Sequence, residues 1–370
     1  MKPSPKQLFL RQTTLPEVGK SGQQKLQQTT VLIVGCGGLG NTVATSLAGS
    51  GIGTIHLVDF DVVDVSNLHR QLFFTPDDIG KPKVFILGKY LTKIAPFTQV
   101  IEHNLVITKE NVFDLITKVD YVLDCTDSLP TKYLLSDACV LRNKPFIYGS
   151  LYKYDGYVAS FNIPQDDGST TANLRDAFPE ISKDAIPNCS EIGTLNTIVG
   201  IIGLMQANEV LKLVCGIGKP LINQLLIYNS LENSRFKMKL KMTDTCHSER
   251  IRRISQLFEN ETYFDANCEL QDKSLLISAK TLRKKLSHGE ASLGLTIISV
   301  IEDLDIKLPF SVHKKIPLSR LKVEELNLQE NKEYVIVCMR GISSYIATQK
   351  IKETSPKINV LSLTNGISNY

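Results

Sequence analysis

An apolar run, VLIV, leads into Gly35-Cys36-Gly37-Gly38-Leu39-Gly40, and the residues after it have the composition of a helix. The spacing is that of a G-x-G-x-x-G turn. Glycines there permit a tight turn and bring backbone N–H groups close to phosphate oxygens at a helix N-terminus, where the helix dipole also favours an anion. Gly35, Gly37, Gly38 and Gly40 are thus the first candidates for nucleotide contact. Asp59 closes the next apolar run about 20 residues on, where an acidic group accepts hydrogen bonds from ribose hydroxyls. A turn packed too closely to bind anything would need the same glycines.

That fingerprint suits a dehydrogenase as well as an ATP enzyme, and the residues beyond Asp59 separate the two. They run Phe60-Asp61-Val62-Val63-Asp64-Val65-Ser66-Asn67-Leu68-His69-Arg70-Gln71, then Gly80-Lys81-Pro82-Lys83, then Asp124-Cys125-Thr126-Asp127. Hydride transfer needs an apolar wall against a nicotinamide. Phosphoryl-type chemistry needs cations on the phosphates and a carboxylate for a metal, and Asn67, Arg70, Lys83 and Asp127 supply those. Singly, Arg70 or Lys83 reads as a solvated charge, and Asp127 as a helix N-cap. Their order along one chain is what carries weight.

Positioning these residues takes a sheet. TTVLIVGC, TIHLVDF, TQVIEHN, DYVLDCT and KPFIYGS read as strands, and helix-length segments such as KPKVFILGKYLTKIA lie between most of them. Strands alternating with helices imply a Rossmann-like α/β domain with a mostly parallel sheet. YVASFNI, NQLLIYNS and SRFKMKLKM suggest an antiparallel extension. Open α/β sheets bind ligands at the carboxyl ends of their strands, where these candidates fall. Gln165 to Asn188 reads as a long polar loop crossing the surface, and TDTCHSERIRRISQ as a charged linker. A smaller α/β pattern then restarts. The expected division is 1–247 for the nucleotide domain, 248–266 for the linker and 267–370 for the second domain.

The chain has 370 residues, 42% of them hydrophobic and 22% charged, enough for about two globular domains. A net charge of +4 points to neither nucleic acid nor an acidic membrane as partner. Eight cysteines without paired density, and no signal-like start, suit a reducing cytoplasm. Gly193 to Gly218 is apolar enough to suggest a membrane span, but Asn196, Gln206, Asn208, Glu209 and Lys212 interrupt it. A helix in a core or subunit interface is expected, with Gly200, Gly203 and Ala207 admitting a close neighbour.

GCGGLG, the DFD-x5-SNLxRQ run, GKPK, DCTD and a later Cys-x-Glu-x-Gly element together resemble the MoeB/ThiF/HesA family, over about residues 8 to 246. Those enzymes adenylate sulfur carriers of molybdopterin and thiamin synthesis and are related to ubiquitin-activating enzymes. The resemblance implies that Gly38, Asp59, Ser66, Asn67, Arg70 and Lys83 contact ATP, and that Asp127 holds Mg²⁺. Asp61 and Ser128 fall in the same nucleotide set; Ser128 stands where relatives often have asparagine. Arg11 is similar to an arginine that reaches the partner's phosphates in a homodimer, and otherwise belongs to a terminal arm. The implied substrate is the C-terminal Gly-Gly carboxylate of a small ubiquitin-like sulfur-carrier protein.

Many relatives carry two Cys-x-x-Cys pairs for structural zinc. Here those places read Asn173-Leu174-Arg175-Asp176 and Cys246-His247-Ser248-Glu249, a poor tetrahedral set, so zinc is not expected. Cys189, in PNCSEIG, sits where relatives can form a thioester or persulfide link to the carrier; a structural thiol is the alternative. Cys36, Cys125, Cys139 and Cys215 lie in apolar runs and read as core.

Near the end, Cys338 follows VIV and precedes a helix-like stretch, so that backbone N–H groups of the turn would face its sulfur. Cys-x-x-Gly-x-x-Ser resembles the active loop of a rhodanese-like domain, as do VHKKIPL and LTNGISNY, over about residues 270 to 370. Ser299-Val300-Ile301 replaces the usual Asp-x-Arg, and Ser343 replaces an arginine. Two outcomes stay open: sulfur transfer through Cys338 from a persulfide donor, or a domain that only docks a partner. An NAD-dependent oxidoreductase and a non-catalytic carrier-binding protein are the competing functions for the whole chain.

Overall fold

A computed structural model describes residues 4–179, 193–243, 247–261, 263, 273–287, 294–301, 304, 306, 308–339, 341–364, 366–367 and 370. The chain divides into two compact units, Met1–Phe264 and Asp265–Tyr370.

The first unit is built on eight strands: β1 (Thr30–Val34), β2 (Thr54–Val58), β3 (Gln99–His103), β4 (Tyr121–Asp124), β5 (Phe146–Tyr152), β6 (Asp155–Phe161), β7 (Gln224–Asn229) and β8 (Ser234–Lys239). Their order in the sheet is β3-β2-β1-β4-β5-β6-β7-β8. The first five pair in parallel, and β5 to β8 continue antiparallel, as the run pattern predicts. Parallel strands covered on both faces read as unbroken apolar runs, because successive side chains enter opposite cores. In β1, Val31 and Ile33 join one core, while Leu32 and Val34 join the other. Strand order reverses between β1 and β4, and ligand crevices open at such a reversal.

The apolar helix Asn196–Cys215 has the length and hydropathy of a membrane span, yet it lies across one face of this sheet. A Cβ on Gly203 would meet Thr42 and the Leu39 carbonyl, and one on Gly149 of β5 would meet Gln206 at 2.2 Å. These glycines are therefore steric requirements of helix–helix and helix–sheet contact. Gly200 differs from expectation: nothing lies within 4 Å of a Cβ there. It is on the outward side, near the exposed Leu204.

Two other expectations need correction. The segment expected as a linker contains the helix His247–Asn260, whose Ile254 and Phe258 are buried in the first unit. Arg252 and Glu259 are exposed while Arg250 turns inward, and the 3.6-residue period of this amphipathic helix is hidden by the density of charge. The expected surface loop after Pro164 also departs: Thr170 to Arg175 is buried, and Arg250 donates to the Thr170 and Thr171 carbonyls. Residues 180–192, with Cys189, and Cys246 and Cys268 lie outside the described residues.

On β2 and β3, His56 Nδ1 and His103 Nε2 are 3.0 Å apart, with rings nearly parallel at 9°. Burial lowers the pKa of both, and the Lys118 charge adds to this, with Glu102 opposing it at His103. A neutral pair shares one N–H···N bond, which a second proton destroys. Both groups bind protons more readily when unfolded, so their contribution is full above the ordinary histidine value of 6.5 and is lost as pH falls below it. Urea unfolding at pH 7.5 and 5.5 should show a larger acid loss for the wild type than for His103→Phe. Equal losses would show that the pair carries no proton linkage.

In the second unit, β9 (Leu276–Ile277), β10 (Leu295–Ser299), β11 (Lys314–Lys315), β12 (Glu333–Val337) and β13 (Asn359–Leu363) form a parallel sheet in the order β11-β10-β12-β13-β9. It carries two apolar cores, one containing Ala347 and Ile351 of the helix Ile342–Thr354, the other containing Leu282 of the helix Ala279–Ser287. This is the smaller α/β domain expected from the sequence.

Candidate active site

The glycine turn leaves β1 at the strand-order reversal and enters the helix Gly38–Gly49. Gly35 has φ +93°, in the left-handed region that glycine adopts freely. A Cβ on Gly40 would lie 1.8 Å from the Gly35 carbonyl oxygen, so no other residue fits there. Asn41 fixes the turn by donating from Nδ2 to the Cys36 and Gly37 carbonyls at 2.6 and 2.7 Å. Gly37 is the N-cap and has no side chain to satisfy the first-turn N–H groups, which leaves them for an anion.

Asp59, at the end of β2, accepts from the Cys36 N–H at 2.6 Å and the Asp61 N–H at 2.8 Å. Burial raises its pKa, partly opposed by the Lys83 ammonium. Lys83 is only 5% exposed, and its Nζ donates to Asp61 Oδ2 at 2.8 Å. Burial pulls the Lys83 pKa down, but Asp61, Asp59 and Asp127 outweigh it and the net shift is upward. The buried ammonium stays charged. Arg70 lies on the other side of the turn: its carbonyl is 3.1 Å from where a Gly38 Cβ would sit, and its Nη1 donates to the Ser66 carbonyl at 2.9 Å. Ser66 and Asn67 form a short 3-10 turn capped by Asp64. Gln71, 4% exposed, lies beside Gly37 with its Oε1 unpaired among the described residues.

Asp127 is exposed just beyond β4, and its charge is felt at Lys83 and Lys132. Lys132 escaped the sequence reading. Its buried Nζ donates to Asp124 Oδ2 at 2.9 Å, the Thr126 carbonyl at 2.7 Å and the Gly149 carbonyl at 2.8 Å, one acceptor for each ammonium proton. Asp124 in turn receives the Thr126 N–H and hydroxyl. The loop carrying Asp127 is thus pinned from below. A lysine amid an apolar helix, eight residues after an aspartate, was the available signal. Ser128 is 7% exposed; its hydroxyl caps the helix Leu129–Leu141 through Thr131. Arg11 is exposed on the short helix Leu10–Thr13, behind Phe9, which is buried against Gly51.

Where the resemblance puts zinc pairs, Asn173 caps the helix Leu174–Ala177, and Asp176 accepts the Thr243 N–H at 2.7 Å. Arg175 is buried: it makes a bidentate pair with Asp137, bonds Glu261 at 2.7 Å and lies over the Tyr133 ring, while the Tyr263 hydroxyl donates to Asp137 at 2.6 Å. Burial raises the thiol pKa of Cys36, Cys125, Cys139 and Cys215, as befits core residues.

In the second unit, Cys338 follows β12 directly and is buried. The Gly341 N–H donates to its Sγ at 3.1 Å, and the Ser344 hydroxyl lies 3.2 Å away. Gly341, with φ +89°, opens the helix Ile342–Thr354.

Glycine turn, strand-order reversal and the lysine–aspartate pairs Lys83–Asp61 and Lys132–Asp124 define a doubly wound α/β protein. Residues 9–248 match the ThiF family. The chain belongs to that family. It is 39% identical over 239 residues to the sulfur carrier protein adenylyltransferase of Thermus thermophilus, covering 64% of this chain and 88% of that protein. Over 377 residues it is 33% identical to the adenylyltransferase and sulfurtransferase MOCS3 of Drosophila grimshawi, covering 97% and 82%. A crystal structure of E. coli MccB with MccA-N7isoASN matches with a TM-score of 0.57 at 23% identity, over 66% of this chain and 74% of that one. That likeness concerns the fold.

Proposed function

We propose that the first unit uses ATP and Mg²⁺ to adenylate the C-terminal glycine of a small ubiquitin-like sulfur-carrier protein, and that the second unit delivers sulfur through Cys338 to form a thiocarboxylate. One observation carries the reading: a buried, charged Lys83 held by Asp61 beside Asp59, with Asp127 in electrostatic reach, next to the glycine turn. The names of the relatives, a sulfur carrier protein adenylyltransferase and an adenylyltransferase and sulfurtransferase, support both halves.

The turn's N–H groups and Lys83 bind phosphates, Arg70 adds a second cation, and Asp59 accepts from the ribose. The carrier carboxylate attacks the α-phosphorus in line; the new P–O bond forms as the bond to pyrophosphate breaks. Two anions meet in that step, so neutralisation and alignment are the protein's main contribution. The donor set fits a hard cation, with the exposed Asp127 carboxylate as its ligand. Mg²⁺ there would neutralise phosphate charge. Arg11 is assigned to reach the partner protomer's phosphates in a homodimer, and Cys189 to a covalent link with the carrier. Free thiols at Cys36, Cys125, Cys139, Cys215 and Cys338 suit a reducing cytoplasm.

The test is ATP–pyrophosphate exchange with Gly-Gly-ending carriers, followed by mass spectrometry of the carrier. Asp127→Ala should reduce exchange by about 100-fold or more with an unchanged thermal midpoint, since Asp127 is exposed. Wild-type exchange in that variant would remove Asp127 from the site. No exchange with any such carrier would remove the reaction.

A further inference from the structure

Two serines are buried beneath Cys338. Ser344, in the first turn of the helix Ile342–Thr354, and Ser362, on β13, both have 0% exposure. A buried hydroxyl without a partner is costly, so its hydrogen bonds must be traced. Ser362 Oγ donates to Ser344 Oγ at 2.9 Å; its alternative acceptor, the Gly341 carbonyl, is at 3.5 Å. With Ser344 Oγ accepting that proton, its own O–H is free to donate. Among the described residues, the acceptor within reach is Cys338 Sγ, at 3.2 Å. The Gly341 N–H meets the same sulfur at 3.1 Å.

We propose that Ser344 is a catalytic hydrogen-bond donor to the Cys338 sulfur, and that Ser362 is the positioning residue that orients its hydroxyl. This rests on the sulfur-transfer reading above. In loading, the Cys338 thiolate attacks the outer sulfur of a donor persulfide, R–S–SH; the new S–S bond forms as the donor's S–S bond breaks and R–S⁻ leaves. In discharge, an acceptor nucleophile takes that outer sulfur, and the bond to Sγ breaks with its electron pair remaining on Sγ. Sγ carries negative charge before the first step and after the second, so a donor fixed on Sγ stabilises the nucleophile's charged form and the leaving group. A chain of two hydroxyls polarises its last member and gives it one direction. Ser344 is the serine of the Cys-x-x-Gly-x-x-Ser run, but sequence alone could not single out Ser362, which is 18 residues from Ser344 and meets it only when β13 pairs with β12.

The experiment uses the full chain, glutathione persulfide as donor and cyanide as acceptor. Peptide mass spectrometry reads sulfur on Cys338, and thiocyanate release from the desalted, loaded protein reads discharge in a single turnover. Ser344→Ala should discharge about thirty-fold more slowly, the range lost with one charge-assisted hydrogen bond. Ser344→Thr, which keeps the hydroxyl, should stay within a few-fold of wild type. Ser362→Ala should slow discharge less, and Ser344→Ala/Ser362→Ala should equal Ser344→Ala alone. Wild-type discharge by Ser344→Ala, whatever its thermal midpoint, overturns the role of Ser344. A double variant far slower than Ser344→Ala overturns that of Ser362. If wild-type Cys338 takes up no sulfur at all, the sulfur-transfer reading itself fails, a result distinct from either.

Discussion

Replacing Lys83 with methionine is expected to depress ATP–pyrophosphate exchange by about 10²- to 10³-fold, the loss that follows removal of one preorganised charge donor. The magnitude rests on burial. At 5% exposure the ammonium is shielded from water and remains charged through Asp61, Asp59 and Asp127. A nearby triphosphate therefore meets a cation whose desolvation is already complete. Methionine fills most of the same volume, and Asp61, whose side chain is half exposed, can turn to water, so the fold should survive. Lys83→Arg should not rescue exchange, because a planar fork with five N–H donors needs more acceptors than this slot offers. The loss should fall mainly on kcat if Lys83 acts on charge that builds in the transition state. A Lys83→Met protein with normal exchange would leave the site without its central cation and defeat the adenylation reading.

Arg175→Met is expected to be the most destabilising substitution proposed, at roughly 3–5 kcal/mol, because it strands Asp137 as a buried charge. Arg175 and Asp137 are both essentially buried, and Tyr263 would be the donor left to Asp137. For a unit of this size such a loss corresponds to a fall in thermal midpoint on the order of 10 °C. Arg175→Met/Asp137→Leu should recover more than half of it, since removing both charges removes the desolvation cost along with the attraction. A single variant with an unchanged midpoint would mean that Arg175 ties nothing together. Glu261→Gln should cost much less, because that carboxylate is partly open to solvent.

The parts of this protein legible in its sequence are those set by short-range patterns. The glycine turn follows from spacing alone, and the central strands β1, β2 and β4 show as apolar runs because sheet positions on both faces are buried. Lys132 was illegible for the opposite reason. Its three acceptors come from a strand end, a loop carbonyl and Gly149 on the next strand, and nothing local marks a lysine for such a meeting. Arg175 is similar: in Asn173-Leu174-Arg175-Asp176 the eye goes to absent cysteines, while the arginine's partners are 38 and 86 residues away. The helix His247–Asn260 reads as a linker in sequence because Arg250, Arg252 and Arg253 mask the stripe of Ile254 and Phe258. Thr170 to Arg175 looked solvent-facing by composition, and became interior because Arg250 supplies donors to its carbonyls.

The Lys132 ammonium also makes a mechanical linkage. It ties the Thr126 carbonyl, next to Asp127, to the Gly149 carbonyl in the strand where the sheet turns from parallel to antiparallel. A displacement of the Asp127 loop would strain the three Lys132 bonds, two of them buried and one partly so. The strain would pass to β5, which is joined to β6 through seven paired residues. Under the proposed function, nucleotide arrival at the carboxyl ends of β1 and β4 would then be registered, as a small tug, in the strands that lead away from them.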